Sequence, residues 1–449
     1  MQFQLTTHFI ENIEQLIAKK DGNALRELLH ELHFADIAEL LEELNAKEAA
    51  YLIKSLESEI TSEALMELDE DDREKILSRL SPKEIAKEIE EMDTDDAADV
   101  VAELDDHIQQ KVIQIIKDEE HVSDIVELLN YAEDTAGALM AKELVQVKET
   151  WTVAGCVREM RRQAENVTRV HSIYVTDKDG KLKGRLSLKD LLTASAKTHI
   201  SEVYIPKVDY VTVATEDEEV ARIMHKYDLE AIPVVDENGV LVGRITIDDI
   251  VDFIKEEAEK DYQMAAGISQ DVEADDGILE LTKARLPWLV LGLFGGLGSV
   301  YILQGFEEAL AHYPILFFFT PLIAAMAGNV GVQSSAIIVQ GLANDVVKGS
   351  LFHRLLKELG LAIINGTILG LLVIIFGAIV GQDSIVSITI AISMLSVIII
   401  AALIGTFVPI ILDKKGIDPA IATGPFITTS NDIFGIFLFF YIAKIILGF

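Results

Sequence analysis

Five long apolar runs follow residue 285, and no other feature constrains the fold of this 449-residue chain as strongly. The runs are 286–303, 314–342, 359–380, 385–412 and 419–447. Each is long enough to cross the ~30 Å hydrocarbon core of a bilayer, where backbone groups must bond internally and apolar runs fold as helices. The sequence therefore predicts a membrane domain of five transmembrane helices at residues 271–449.

Asp432 lies in the middle of the fifth run, where Lys444 is the one other residue charged at neutral pH. An ionised carboxylate inside a bilayer costs at least ~2.5 kcal/mol unless it faces water, a cation or a basic partner. Lys444 is about three helical turns away, which is too far for a direct ion pair. Asp432 is therefore predicted to face a cation that binds or passes in the membrane.

The second run contains a glycine-broken polar patch at bilayer depth. Asn329 and Gln333 lie four residues apart in it, on one helical face. Two amides beside glycines favour a lined cavity over a single bond between helices. In the fifth run, Thr428 precedes Asp432 by four residues and adds a hydroxyl to the same face.

These side chains form one predicted pore site. Its members are Asp432, Thr428, Asn329 and Gln333. Their oxygen atoms, with retained water, suit a hard cation such as Mg²⁺, and the runs contain no Cys or His that would favour zinc or copper. Oxygen ligands separate Mg²⁺ poorly from Mn²⁺, Co²⁺ or Ca²⁺, so a divalent cation transporter of other selectivity stays open as an alternative.

Basic residues mark one end of the runs. With the first half of the chain inside, the inner segments contain Lys283, Arg285, Lys348, Arg354, Lys357, Lys414 and Lys415. The outer segments around 307–313 and 381–384 contain no Lys or Arg, and the N-terminus lacks the features of a secretory signal. The positive-inside rule therefore predicts a cytoplasmic N-terminal half and an outer C-terminus.

The first half of the chain is strongly acidic. The chain has 38 Lys and Arg against 74 Asp and Glu, and the net charge of −36 belongs to residues 1–280, because the remainder is balanced. This charge would repel phosphate, which argues against a nucleic-acid partner. It favours cation binding or simply a solvated surface. The single cysteine, Cys156, excludes a disulfide framework and a cysteine-based zinc site.

A twelve-residue repeat runs through residues 1–133. Its apolar positions are Leu32, Leu44, Leu56, Leu68, Leu80, Met92, Leu104 and Ile116. A polar residue such as Ser81 or Asp93 follows several of these positions and is predicted to cap a short helix. A stack of short helices in a superhelix is typical of such a repeat. The acidic turns, with Asp95 and Asp99 among them, either bind cations or only cap helices.

Strand and helix patterns alternate after the repeat, and one motif occurs twice. Residues 184–190 read Gly-Arg-Leu-Ser-Leu-Lys-Asp, and residues 243–249 read Gly-Arg-Ile-Thr-Ile-Asp-Asp. Each copy follows a turn and a predicted hairpin. This duplication resembles a tandem pair of cystathionine-β-synthase (CBS) modules, the first at 134–200 and the second at 201–247.

The CBS resemblance implies a possible small-molecule ligand. Such pairs often hold adenine nucleotides, with the Asp of the motif on the ribose, which is Asp190 or Asp249 in this sequence. Ser187 and Asp190 are the candidate nucleotide site, with ATP as a regulatory ligand. A pair with an empty or ion-only cleft remains the alternative.

A connecting helix is predicted at 248–270, between the second CBS module and the first run. Apolar residues form one of its stripes, and Asp249, Asp252 and Glu256 belong to an acidic one. Such a helix either reports a change in the soluble half to the membrane or is a passive linker.

The order of these parts resembles the MgtE family of bacterial magnesium channels. The most specific residues are Gly328-Asn329-x-Gly331-x-Gln333-Ser334, and Asp418-Pro419-Ala420 ahead of Asp432. The resemblance implies a multidomain membrane protein with an all-α superhelical N-terminal domain, an α/β tandem CBS domain, a connecting helix and a five-helix transmembrane domain. It also implies a homodimer in the bacterial inner membrane, with one pore in which both copies of Asp432 bind hydrated Mg²⁺.

The resemblance further implies that cytosolic Mg²⁺ bridges acidic surfaces and closes the pore. The residues at matching positions are Asp95, Asp99, Asp228, Asp249, Asp252 and Asp261, and Glu256 of the acidic stripe joins them as a candidate. Two positions depart from the family pattern. Val332 stands where many relatives have a further Asn, and Lys260 precedes Asp261 where a second acid is expected, which weakens one cytosolic ion site.

Two enzyme classes lack their motifs in this chain. No run contains the His-Glu-x-x-His of a metalloprotease, and no Gly-x-x-x-x-Gly-Lys-[Ser/Thr] is present to bind ATP as a fuel. The sequence therefore predicts a non-enzymatic Mg²⁺-selective channel or transporter that senses intracellular Mg²⁺. A membrane-bound sensor of divalent ions or nucleotides is a further alternative, but it leaves Asp432 unexplained.

Overall fold

The structure is a computed structural model that describes residues 4–163, 169–270, 272–274, 276–344, 347, 350–422 and 424–448. Lys348, one of the residues used to predict orientation, lies outside the described residues. The chain divides into two compact units, Met1–Ile254 and Lys255–Phe449, and each is described by itself.

The first unit begins with ten short helices. They are α1 Thr7–Lys19, α2 Gly22–Leu29, α3 Phe34–Glu42, α4 Ala46–Ser55, α5 Ser58–Met66, α6 Glu70–Leu77, α7 Pro82–Ile89, α8 Thr94–Ala102, α9 Asp106–Ile115 and α10 Glu119–Leu128. From α3 to α9, each helix begins 12 residues after the one before it. Helices two apart pack together, as in α3 with α5 and α7 with α9, which confirms the predicted helical stack.

The repeat positions lie where one helix ends and the chain turns into the next. Leu44, Leu56, Leu68, Leu80 and Met92 are all buried in the core that the helices share. Because each short helix has too little apolar surface to be stable alone, the buried turn residues hold neighbouring helices in one stack.

The predicted capping by the polar residue after each repeat position is correct at Ser81 and wrong at Asp93. Ser81 and Glu84 form a capping box at the start of α7. Asp93 makes no side-chain bond to the first turn of α8. Its carboxylate instead lies 3.4 Å from a guanidinium nitrogen of Arg244, which draws it away from the helix end.

Two small α/β modules follow. The first contains β1 Val145–Lys148, α11 Val153–Gln163, β2 Ile173–Thr176, β3 Leu182–Leu186 and α12 Leu188–Thr193. The second contains β4 Val211–Thr212, α13 Asp217–Tyr227, β5 Ala231–Val235, β6 Leu241–Thr246 and the start of α14 Ile247–Ala266. Each has a three-stranded sheet whose first pair of strands is parallel and whose second pair is an antiparallel hairpin. The two hairpins bond to each other, because Leu182 N–H donates to Gly239 and Leu241 N–H donates to Gly180.

The second unit contains the long apolar helices. They are α15 Ile278–Gln304, α17 Ile315–Ala343, α18 Leu351–Ile379, α19 Ser384–Asp413 and α20 Gly424–Leu447, with the short α16 Glu307–His312 after α15. These five are the helices in the described part of the chain that are long and apolar enough to cross a membrane. The prediction of five membrane helices is therefore confirmed.

Three run boundaries differ from the prediction. The helices α15 and α18 begin at Ile278 and Leu351, each eight residues before the corresponding apolar run, because a helix continues through polar residues that end a hydropathy pattern. The fifth run is not one helix from its first residue, since a short 3₁₀ helix at Pro419–Ala422 precedes α20. Gly424, the first residue of α20, has a φ of +42°, which glycine adopts without strain. The residue before a proline also disfavours the α conformation, so the chain turns at Gly424 as α20 begins.

Glycines allow α17 to approach α19 and α20 closely. A Cβ atom at Gly405 of α19 would overlap the carbonyl oxygen of Gly331 in α17, and a Cβ at Gly331 would overlap the side chain of Asn431 in α20. Gly435 of α20 is also close to α17, since a Cβ there would lie 3.1 Å from the Cβ of Ala327. The three helices therefore pack closely around the polar patch of α17, with a direct backbone contact between α17 and α19.

We expect Gly405→Ala to destabilise the membrane unit by about 1–3 kcal/mol, because the atom that the new methyl group meets belongs to the backbone and cannot rotate away. The measurement is the thermal midpoint of the purified protein in detergent. Gly360→Ala is the matched control, since nothing lies within 4 Å of a Cβ atom at that position of α18. Equal midpoints for the two variants would contradict the close contact.

Candidate ion-binding sites

Asp432 lies in the third turn of α20 and is half-buried. Thr428 packs on Gly328 of α17, and Ile433 packs on Gly298 of α15. In the helix, position 432 lies between these two positions, so Asp432 projects between the faces of α20 that contact α17 and α15. Within the described residues, neither a hydrogen bond nor an ion pair reaches its carboxylate. The side chain is therefore available to a ligand.

The Thr428 hydroxyl bonds within its own helix. It donates to the carbonyl oxygens of Gly424 and Pro425, each at 3.1 Å. The hydroxyl oxygen keeps lone pairs, but its proton is directed towards the start of α20 and not towards Asp432. Its role beside Asp432 stays a prediction.

The predicted polar face of α17 is exposed on the single chain. Asn329 and Gln333 are both exposed, as is Gln340 two turns further on, and Val332 is half-buried beside them. An amide that faces hydrocarbon without a partner loses its hydrogen bonds, so a face of this kind requires water or protein against it.

Asn431 is a polar residue of this region that the sequence reasoning missed. It precedes Asp432, is buried against Gly331, and neither atom of its amide has a hydrogen-bond partner among the described residues. An unpaired buried amide costs about 1–3 kcal/mol. The sequence offered one indication of its importance, namely that an amide side chain lies next to Asp432 in an apolar run.

The end of the connecting helix lies against the start of α20. A Cβ atom at Gly424 would overlap the carbonyl oxygen of Ala265, and one at Gly267 would overlap the ring of Pro425. These contacts lie within the second unit, two turns of α20 before Asp432. A movement of the last turn of α14 would therefore press directly on the helix that carries the membrane carboxylate.

Asp261 lies in the same part of α14 and is half-buried. Burial raises the pKa of its carboxyl group, and the charge of Asp418 raises it further. Lys260, which departs from the family pattern, lies 2.7 Å from Glu257 and so forms an ion pair along its own helix. Asp261 and Asp418 are thus two like charges that a cation between them would stabilise.

In the first unit, Asp93, Asp95 and Glu143 converge on one point. One carboxylate oxygen from each lies within 4.8 Å of the other two, a spacing that a single metal ion can span. Glu143 comes from the segment before β1, and its Oε2 accepts hydrogen bonds from the Thr94 backbone N–H at 3.2 Å and hydroxyl at 2.9 Å. The three carboxylates supply the oxygen donors that Mg²⁺ prefers, so the residues fit this ion.

Three carboxyl groups at this point, those of Asp93, Asp95 and the neighbouring Asp96, have raised pKa values. Burial, followed by the charge of Glu143, raises the pKa of Asp93 to about 6, against the opposing charge of Arg244. Burial and the charges of Asp249 and Asp93 raise the pKa of Asp96 to about 8. The pKa of Asp95 is raised well above its ordinary range, first by burial and then by Asp96. The site therefore has an excess of negative charge that a divalent cation would neutralise.

Asp249, in the first turn of α14, adds its charge to this electrostatic environment. Its carboxylate accepts hydrogen bonds from the Thr246 backbone N–H at 2.9 Å and hydroxyl at 2.6 Å, which fix it at the start of α14. Its charge acts on both Asp95 and Asp96. The structure thus brings together two of the predicted acidic residues, Asp95 and Asp249.

The other predicted acidic residues lie elsewhere. Asp99 is exposed on α8, although its charge still reaches Asp96. Asp228 is exposed and follows α13 in a left-handed backbone conformation. Asp252 and Glu256 are exposed on α14. Sequence reasoning missed Glu143, since the segment that contains it has no repeat or motif, and only the folded chain places it beside α8.

The candidate nucleotide residues occupy the start of α12. The Ser187 hydroxyl accepts a hydrogen bond from the Lys189 backbone N–H at 3.2 Å and caps this short helix. Asp190 is half-buried in its first turn. Ser187 and Asp190 correspond in position to Thr246 and Asp249 of the second module, where the equivalent Asp is bonded to the equivalent hydroxyl.

The fold and the membrane carboxylate define a multi-pass membrane protein of the divalent cation transporter class. Three family descriptions match the chain: the MgtE divalent cation transporter at 320–442, the MgtE intracellular N domain at 32–134, and the CBS domain at 136–197 and 200–256. The magnesium transporter MgtE of Bacillus subtilis is 37% identical over 317 residues, which are 70% of each chain. The chain belongs to the MgtE family.

Other relatives agree. The magnesium transporter MgtE of Thermus thermophilus is 36% identical over 72% of this chain and 73% of its own. A solved structure of the cytosolic domain of the Mg²⁺ channel MgtE in complex with ATP is 36% identical, with a TM-score of 0.51, and covers 54% of this chain and 99% of that one. The family is one of transporters, which confirms that the protein is not an enzyme.

The raised pKa values predict a pH-dependent stability without metal. The folded chain keeps protons on Asp93 and Asp96 up to about pH 6 and pH 8, whereas the unfolded chain loses them near ~4. Between these values the folded state binds more protons, so its stability falls as the pH rises. In the presence of a chelator, we expect the first thermal transition of the purified protein to shift downward from pH 5 to pH 9.

Calorimetry on the full chain measures this shift. Asp96→Asn should reduce the pH dependence, and saturating Mg²⁺ should reduce it in the wild type, while Asp106→Asn, at an exposed position of α9, should leave it unchanged. If the thermal midpoint of the wild type rises with pH in the presence of the chelator, the acidic residues do not repel one another in the folded state.

Proposed function

We propose that the protein is a Mg²⁺-selective channel or transporter for magnesium uptake, which closes when cytosolic Mg²⁺ is high. The observation that carries this proposal is Asp432, a carboxylate with no described partner in a helix long and apolar enough to span a membrane. The names of the relatives, magnesium transporter MgtE, support Mg²⁺ as the ion.

The ion path of this proposal lies between two copies of the chain. Asn329 and Gln333 are exposed on α17, and their amides cannot face lipid at low cost. A homodimer would cover this face with the same face of a second copy and would bring two Asp432 carboxylates to one path. The two carboxylates together would balance the charge of one divalent cation.

The ion would keep much of its water in this path. Mg²⁺ loses water reluctantly and is usually bound by one or two carboxylates with several waters retained. Asp432 supplies charge, and Asn329 and Gln333 supply amide groups that bond to the water shell. Val332 supplies neither, so the path of this chain has one amide fewer than the family pattern.

The regulatory part of the proposal rests on the acidic first half. Mg²⁺ at Asp93, Asp95 and Glu143, with Asp249 beside them, would relieve the repulsion that contributes to the raised pKa values of Asp93 and Asp95. Ions that bind a compact state better than a loose one shift the population towards the compact state. The remaining candidates, Asp99, Asp228, Asp252, Glu256 and Asp261, would bind further ions in that state.

The connecting helix would transmit this change. Its last turn contacts the start of α20 through Ala265 and Gly424, two helical turns before Asp432. A shift of α14 would therefore alter the position of α20 and close the path. ATP is a proposed regulatory ligand at Ser187 and Asp190, which the ATP complex of the related cytosolic domain supports.

The proposed location is the bacterial inner membrane. The N-terminal domains would be cytoplasmic and the C-terminus outside, which is consistent with basic residues at the inner ends of the membrane helices, such as Arg354 of α18 and Lys414 after α19. In this orientation the acidic first half samples cytosolic Mg²⁺.

Mg²⁺ flux into liposomes that contain the purified protein tests the proposed function. We expect Asp432→Asn to lower the flux at least about tenfold, because the substitution removes the membrane charge and keeps the shape of the side chain. Asp413→Asn is the matched control, since Asp413 is exposed at the end of α19, and it should keep wild-type flux.

The same assay tests the ion. An excess of Mn²⁺, Co²⁺ or Ca²⁺ should leave most of the Mg²⁺ flux in place. Wild-type flux in Asp432→Asn would remove this carboxylate from the path, and stronger transport of a competing ion would replace Mg²⁺ as the substrate.

A further inference from the structure

Glu358 is a second carboxylate in a membrane helix. It lies seven residues after the start of α18 at Leu351, which places it ~11 Å along the helix. Asp432 lies eight residues after the start of α20, a similar distance. An ionisable residue inside a membrane helix is costly and usually has a function through a specific partner.

The partner of Glu358 is Ser334 of α17. The Ser334 hydroxyl donates a 2.6 Å hydrogen bond to Oε1 of Glu358. Ser334 is 5% exposed, and the bond joins the side chains of two membrane helices. A bond of this length from a hydroxyl to a carboxylate is typical of a strong, charge-assisted hydrogen bond.

Contacts with α19 and α20 hold α17 closely near this point. A Cβ atom at Gly331 of α17 would overlap the side chain of Asn431 in α20, and a Cβ atom at Gly405 of α19 would lie 3.1 Å from the Ser334 Cβ. Close packing of this kind leaves room for only a small turn of α17 about its axis. The bond from Ser334 to Glu358 adds a polar attachment of α17 to α18.

The rotation of α17 decides where its amides point. Gln333 precedes Ser334 and is exposed, whereas Ser334 is buried beside Gly405 of α19 and its hydroxyl bonds to Glu358 of α18. The two side chains therefore lie on different sides of the helix. While Ser334 is held by Glu358, Asn329 and Gln333 stay on the exposed face, and release of Ser334 would let this face turn towards a neighbouring helix.

We propose that Glu358 is a positioning residue for ion transport: it binds Ser334 and thereby fixes α17 at the rotation that presents Asn329 and Gln333 to the ion path. This inference rests on the proposed function. It assigns Glu358 no contact with the ion, because Ser334, its partner, faces away from the exposed amides. The oxygen that accepts the Ser334 hydrogen bond is the essential feature of Glu358. A Gln at this position should therefore preserve the rotation of α17, and a Leu should not.

A spin label on the exposed face of α17 tests the rotation directly. Ala336 is exposed, and Ala336→Cys places a thiol one turn after Gln333. The native Cys156 is buried, and burial raises the pKa of its thiol to about 11, so it will not react under labelling conditions. The measurement is the accessibility of the label to a water-soluble and to a lipid-soluble relaxation agent in the reconstituted full-length protein.

We expect Ser334→Ala and Glu358→Leu to change the label's accessibility at position 336, and Glu358→Gln to preserve the wild-type value. A label at Ile364→Cys, exposed on α18 two turns after Glu358, is the reference and should stay unchanged in every variant. Unchanged accessibility at position 336 in both Ser334→Ala and Glu358→Leu would overturn the proposal, and so would a change in Glu358→Gln equal to that in Glu358→Leu.

Flux measurements on the same variants without the label complete the test. Ser334→Ala and Glu358→Leu should each lower Mg²⁺ flux by about tenfold, the loss expected from one charge-assisted hydrogen bond, and Glu358→Gln should restore most of it. Wild-type flux in Glu358→Leu would overturn the role in transport. If the wild type itself carries no Mg²⁺, the proposed function fails, while the label still decides whether Glu358 fixes the rotation of α17.

Discussion

An unpaired carboxylate at bilayer depth is the feature on which the rest of this structure depends. Asp432 has no described partner in α20, and a charge in that position is tolerated only with water or a cation against it. The glycine contacts of Gly331 and Gly405 bring three helices together beside it, and the exposed amides of α17 lie on a face that lipid would not satisfy. These features support the proposed ion path, in which a second copy of the chain would cover the exposed face of α17.

The acidic first unit shows the same physical problem in a soluble setting. Asp93, Asp95 and Glu143 converge within the reach of one metal ion, and burial together with neighbouring negative charges raises the pKa values of Asp93 and Asp95. This concentration of charge supports the proposed role as a sensor, since a site that is repulsive when empty responds strongly to the ion that neutralises it. In the proposed function both units act through a divalent cation, the membrane unit in transport and the first unit in regulation.

Much of the architecture could be predicted because it follows from local patterns. The twelve-residue spacing placed helix starts from α3 to α9, and the apolar runs placed five membrane helices. What could not be predicted depends on contacts between distant residues: Glu143 reaches α8 through a segment with no motif, and Asp93 turns from its helix end to Arg244. The third apolar run starts at residue 359 and so excludes Glu358, because an apolar pattern ends at the first polar residues. The helix α18 continues through those residues and includes Glu358.

The central claim is that the cation carried across the membrane also closes the path from the cytosolic side. The most direct measurement is Mg²⁺ flux through the wild type and Asp249→Asn in liposomes, with Mg²⁺ on the side of the soluble domains held low or high. We expect wild-type flux at low Mg²⁺ that disappears at high Mg²⁺, and a higher closing concentration in Asp249→Asn. Wild-type flux that does not depend on Mg²⁺ on that side would contradict it.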